Sequence, residues 1–236
     1  MKKLLSFLAF ALLASAMTIS LSACGGDDDD DNIYNEVDNG GDNEGDKPVV
    51  LCPDDNHPHA INMGDAGVWA CCNIGASKPE AYGSYFAWGE TGVKSDYSFE
   101  TYEHKNGSEY KDIGSEIGGN ITYDAATKEW GSSWRTPSSG QIRGLLQNCE
   151  SRWKRINNVN GLLLTAHNGN NIFLPAAGYR EGTSPKVVGY TGAYWSSSLY
   201  TTTPGNVYGV RFVSNDVGLY RAFERSYGLP VRPVQE

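Results

Sequence analysis

The sequence predicts a single α+β domain made mainly of short antiparallel strands, with one long helix and long loops. Three observations predict it. From residue 49 onward the apolar runs are short and broken by Gly, Asn, Ser and Pro. Only one stretch keeps helical periodicity for more than two turns. No tandem repeat or linker-like composition interrupts residues 48–236, so that span reads as one domain.

The elements follow in chain order. Lys78–Tyr82 is a helical candidate too short to stand alone. The main helix is expected from Ser138 to about Trp153, reaching Arg155 at most. Pro137 sits at its entry, Ser138 and Gln141 have capping-box spacing, and Ile142, Leu145, Leu146, Cys149 and Trp153 follow the helical repeat. Gly161–Ala166 and Asn171–Pro175 flank His167-Asn168-Gly169-Asn170, a hairpin signal because Asn-Gly tolerates positive φ. Val207–Val213 and Val217–Phe223 read as strands joined by Ser214-Asn215-Asp216. Leu229–Val234 closes the chain as an edge strand, since Pro230 and Pro233 lack a ladder donor.

The start of the chain is of another kind. Lys2 and Lys3 precede an almost unbroken apolar run, Leu4 to Met17, short for a membrane span and shaped like a secretory signal. It ends in Leu21-Ser22-Ala23-Cys24, which resembles a lipobox. Residues 1–23 are thus expected to be a lipoprotein signal peptide, with Cys24 carrying the lipid. Residues 27–47 hold ten acids and one base, a charge of −9, whereas residues 48–236 carry only −2. Self-repulsion and the lack of apolar side chains make 24–47 a disordered acidic tether. An acidic stretch behind the lipidated cysteine also resembles the surface-export signal of Bacteroidetes lipoproteins. Gly25 resembles outer-membrane sorting, which places the protein on the outer membrane facing the exterior. The nearly neutral domain offers no basic run for a phosphate backbone, so nucleic acid is not expected as a partner.

Five ordered motifs carry a family resemblance. They are Trp69-Ala70-Cys71-Cys72-Asn73-Ile74-Gly75-Ala76 with Tyr82 to Thr91; Trp130-Gly131-Ser132-Ser133-Trp134-Arg135-Thr136-Pro137; Phe173 to Arg180; Tyr194-Trp195-Ser196-Ser197-Ser198; and Gly228 to Val234. Together they resemble the Fibrobacter succinogenes major paralogous domain, from about Ile61 to the C-terminus. The resemblance implies a C-type-lectin-like fold, with paired terminal strands and long loops on one side. It implies little about activity. Ser196 stands where a calcium-bridging lectin would carry Asn after Tyr194-Trp195, and no Glu-Pro-Asn, Gln-Pro-Asp or Trp-Asn-Asp is present, which argues against calcium-bridged sugar binding.

Cys52, Cys71, Cys72 and Cys149 lie in a disulfide-permissive context, and Cys72 with Cys149 is the expected pair. Cys71 and Cys72 would face opposite ways on a strand, so they are not expected to serve one partner. No convergent Cys/His pairs at metal spacing are evident, so no metal or cofactor is expected. His57 and His59, near Cys52, read as a solvated loop. Glu90 and Asp216 are loop carboxylates that could pair for glycoside hydrolysis, but no nucleophile elbow, zincin helix or phosphate loop accompanies them. Arg135, Arg180 and Arg232 sit inside the family motifs as structural partners of carboxylates or carbonyls. Trp130, Trp134 and Trp195 read as core. Tyr190 and Tyr200 are the candidate ligand-binding aromatics. The functional expectation is a non-enzymatic surface lipoprotein, held to the membrane by the lipid on Cys24 and binding an extracellular glycan or protein. The alternatives are a structural or interaction subunit of an envelope assembly and, third, a thiol-dependent enzyme.

Overall fold

The computed structural model describes Leu51 to Glu236, except Pro53, Asp55 and the side chains of Tyr220, Arg221 and Ala222. The expected signal, Cys24 and the tether lie outside the described residues. In chain order, β1 (Ala60–Asn62) turns through a short 3-10 segment into β2 (Val68–Ala70). A loop-rich stretch follows, with only the ladder of β3 (Lys105–Asn106) and β4 (Glu109–Tyr110). Two helices come next, α1 (Ala125–Trp130) and α2 (Ser139–Asn148). β5 (Cys149–Ile156), β6 (Val159–Ala166) and β7 (Asn171–Pro175) form one antiparallel meander. After the small hairpin of β8 (Tyr179–Glu181) and β9 (Ser184–Lys186), a second meander is built from β10 (Gly192–Leu199), β11 (Asn206–Val213) and β12 (Asp216–Glu224). β13 (Val234–Gln235) returns to pair with β2, so the first and last strands share one sheet in the order β1-β2-β13.

The α+β expectation holds: the strands are short and antiparallel, and the helices few. The main helix is shorter than expected. Ser138 caps it, with the reciprocal Gln141 bonds of a capping box, but it stops at Asn148. Cys149 and Trp153 belong to β5 instead. A spacing of four suits both periodicities: Cys149 and Trp153 share a helix face, and they also share a strand face. Eight consecutive pairs with β6, Cys149↔Ala166 to Ile156↔Val159, decide for the strand. Lys78–Tyr82 forms a single turn, with Ala81 N bonded to Lys78 O, and no helix. The hairpin lies where the Asn-Gly signal puts it, with Gly169 at φ 86°. The Leu229–Val234 strand shrinks to β13 and single bridges, Phe86↔Leu229 and Arg135↔Val234. Its prolines act as acceptors: Pro230 O takes Trp195 N–H, and Pro233 O takes Ala70 N–H.

β10 separates two apolar cores, because neighbouring side chains on a strand point to opposite faces. Tyr194 enters the core made by Ile142 and Leu145 of α2, Leu164, Ile172, Phe212 and Trp69. Trp195 enters the other, with Phe86, Trp88, Ala126, Phe223 and Val231. A bulge between the Val207 and Gly209 pairs of β11 and β12 lets one strand serve both. Val217 and Leu219 pack on the first core and Phe223 on the second, although all three are odd-numbered. Gly192 is required in β10, since a Cβ there would lie 1.9 Å from the Phe212 ring. Trp134 and Trp195 are core residues as expected, and Trp130 is half-buried against the second core.

The segment Trp130–Pro137 is held by a carboxylate that the sequence did not single out. Asp124 is fully buried and caps α1 through Ala126 N–H. It also accepts from Gly119 N at 2.8 Å, Thr127 Oγ1 at 3.0 Å, Thr136 N at 3.0 Å and Thr136 Oγ1 at 2.6 Å. Five donors on one carboxylate leave none of its charge without a partner.

Candidate functional site

Two places outside the cores gather chemistry. The first is a Cys/His corner at the open end of the β1–β2 hairpin. The register Ala60↔Ala70 makes His59 and Cys71 the next cross-strand pair, closed by Cys71 N–H to His59 O at 3.0 Å. His59 N–H in turn points at Cys71 Sγ, at 3.2 Å. The segment just before β1 brings in the other members. Cys52 Sγ lies 3.3 Å from His57 Nδ1 and 3.2 Å from His59 Nδ1. Cys71 Sγ lies 3.2 Å from His57 Nδ1 and 3.8 Å from His59 Nδ1. All four donor atoms fall within 4.8 Å of one another. The loop thus assembles a convergent donor set that sequence spacing did not reveal, and His57 and His59 are not merely solvated.

The surroundings are organised around this set. Asp54 accepts Asn56 N–H at 2.7 Å and sits 3.0 Å from His59 Nε2. A proton on Nε2 would bridge to Asp54 and leave the Nδ1 lone pair facing the sulfurs. Arg232 is buried beside the thiols and donates to Cys71 O at 2.8 Å, Ala70 O at 3.2 Å, Phe173 O at 2.8 Å and Asn73 Oδ1 at 2.8 Å. Among the described residues no carboxylate pairs with it. The Cys71 thiol is lowered to about 3, first by its hydrogen bond with Cys72 and then by those of Cys52, the His59 amide and His57. The Cys52 thiol is pushed up, mainly by burial.

All four described cysteines are free. The expected Cys72–Cys149 disulfide is therefore corrected: Cys149 is buried in the α2 core at the start of β5, while Cys72 turns its thiol to Ala76 O at 3.7 Å. Cys71 and Cys72 also depart from the strand expectation. They follow the end of β2 in a bend, and their thiols meet.

The second place is an open groove of about 610 Å³, within the roughly 300–1,000 Å³ of small-ligand sites. It is lined by Ser84, Tyr85, Lys94, Ser95, Tyr97, Arg180 and Thr183, among others. Lys94 is held by Glu90 at 2.8 Å. The Arg180 guanidinium lies over the Tyr85 ring, 5.1 Å from its centroid, and has no carboxylate or carbonyl partner among the described residues. Its main chain is fixed by both hydrogen bonds with Gly228. Of the three motif arginines, Arg135 (paired with Glu236) and Arg232 are structural as expected. Arg180 departs from that role. Two further spaces among α2, β10 and the loops are packing gaps of about 10 Å³, room for no more than a water.

The other sequence candidates are not brought together. Tyr190 is 77% exposed just before β10. Tyr200 follows the end of the same strand, half-buried and edge-on to Tyr208 at 5.3 Å. About 26 Å of strand at about 3.3 Å per residue lies between them, so they cannot hold one small ligand. Glu90 is buried, taken by Lys94 and by Glu103 N–H at 2.8 Å, whereas Asp216 sits exposed at the start of β12. The chain matches no family model, no curated protein and no solved structure.

Proposed function

We propose that this chain is a lipid-anchored surface lipoprotein whose folded domain binds an extracellular glycan or protein without catalysis. The observation that carries this reading is the groove under Arg180. A cationic fork poised over an aromatic face, ringed by Ser84, Ser95 and Thr183 hydroxyls, suits a polar ring bearing a carboxylate, such as an acidic sugar. The lectin-like fold belongs to the same proposal, supported by the sharing of one sheet by the first and last strands. The lipid on Cys24 and the outer-membrane location rest on the sequence. Acyl labelling lost in Cys24→Ser is the expected mark of the anchor.

The test is a glycan and matrix-protein array probed with the full chain in detergent, with calcium and with a calcium-selective chelator. Chelator-resistant binding to acidic glycans that falls at least tenfold in Arg180→Ala is the expected result. A blank array sinks the reading in favour of an envelope-assembly subunit. Binding indifferent to Arg180 moves the site away from this groove.

A further inference from the structure

We propose that Cys52, His57, His59 and Cys71 form a tetrahedral zinc site that fastens the segment before β1 to the β1–β2 hairpin. The argument begins with distances. A tetrahedral Zn²⁺ with Zn–S of about 2.3 Å and Zn–N of about 2.0–2.1 Å sets sulfur and nitrogen donors about 3.6 Å apart. The four Cys–His separations here, 3.2, 3.3, 3.2 and 3.8 Å, bracket that edge. Both histidines turn the same atom, Nδ1, toward both sulfurs, which is how ligands around one centre must aim.

Hydrogen bonding alone does not account for the cluster. Two thiols are weak donors, and His59 turns its Nε2 to Asp54 rather than to the sulfurs. Apart from the His59 amide N–H and the Cys72 thiol on Cys71 Sγ, what faces the corner is two sulfurs and two ring nitrogens, four ligand atoms with no shared partner. A soft divalent cation supplies what is missing. Two sulfurs and two imidazoles select zinc over calcium or magnesium, which take oxygen ligands. Both sulfurs ligate as thiolates, any thiol proton of the free site passing to solvent, with no change of oxidation state. The Asp54–His59 contact is the carboxylate–histidine arrangement that orients a metal-bound imidazole. Four protein donors close the coordination sphere, so the site is structural, and it is independent of what the groove binds.

The experiment is elemental analysis of the full chain, purified in detergent under reducing conditions, then stripped and titrated with Zn²⁺ and with Co²⁺. The expected result is one zinc per chain, and a cobalt form with thiolate-to-metal absorption and tetrahedral visible bands. Cys52→Ser should abolish those bands. Asp54→Asn, on the exposed side of His59 where folding is not at stake, should weaken zinc about 10–100-fold. Less than a tenth of an equivalent of zinc overturns the proposal, as does a Cys52–Cys71 disulfide found by peptide mapping without reductant. Octahedral cobalt without a thiolate band overturns it equally.

Discussion

Asp124, fully buried, and the half-buried Cys/His corner are two polar knots built on opposite principles. At Asp124 one carboxylate meets five donors that the chain itself provides. At the corner, two sulfurs and two ring nitrogens face one another, with the His59 amide N–H on Cys71 Sγ as the main-chain donor. The first knot is complete as folded. The second has its geometry finished but its charge balance open, with buried Arg232 as the adjacent positive charge. A polar cluster that satisfies itself is a fastening of the fold; one that converges without satisfying itself is addressed to something else.

Four changes break or sharpen that contrast. The largest effect is expected at Asp124→Ala, which leaves several buried donors without an acceptor. Chemical denaturation should show a loss of about 3–5 kcal/mol, with or without zinc. Next comes the corner, where stability should depend on metal. With free zinc at 100 times its Kd, the wild-type chain gains about 2.7 kcal/mol in a melt, and Cys71→Ser should lose most of that gain. If the stability lost in Asp124→Ala changed with zinc, or Cys71→Ser lost the same stability in chelator as in zinc, the two knots would not differ in kind. Arg180→Ala should cost glycan binding tenfold or more and stability little, because its guanidinium has no carboxylate or carbonyl partner among the described residues and only stacks on Tyr85. Smallest is Tyr190→Ala, expected within about 0.5 kcal/mol by denaturation and neutral toward ligand, since its ring stands in solvent away from the groove.

Much of the fold was legible because its signals were local. The Ser138–Gln141 capping box and the Asn168-Gly169 turn each lie within a few residues, and both appear where the sequence puts them. The end of the helix was not legible, because Cys149 and Trp153 satisfy two periodicities and the tie is broken by their β6 partners Ala166 and Leu162, well along the chain. Asp124 looked like any loop acid, as its donors come from residues 119 to 136. The corner was the hardest to see. The intervals between Cys52, His57, His59 and Cys71 match no regular ligand spacing, and the register of β1 on β2 is what makes 59 and 71 neighbours. Arg180 misled for a related reason: a motif arginine ordinarily finds a carbonyl, and only the folded chain shows which one does not.

By itself, then, the sequence determined the class of domain, the capped start of the main helix, the hairpin turns and the division between an acidic N-terminal stretch and a nearly neutral domain. These depend on residues close along the chain, where steric preference and charge act directly. Only the tertiary structure decided which cysteines are free, that two histidines and two sulfurs share one point, and which arginine faces a groove. The corner depends on the register of β1 on β2, and a shift of one residue there would have separated His59 from Cys71.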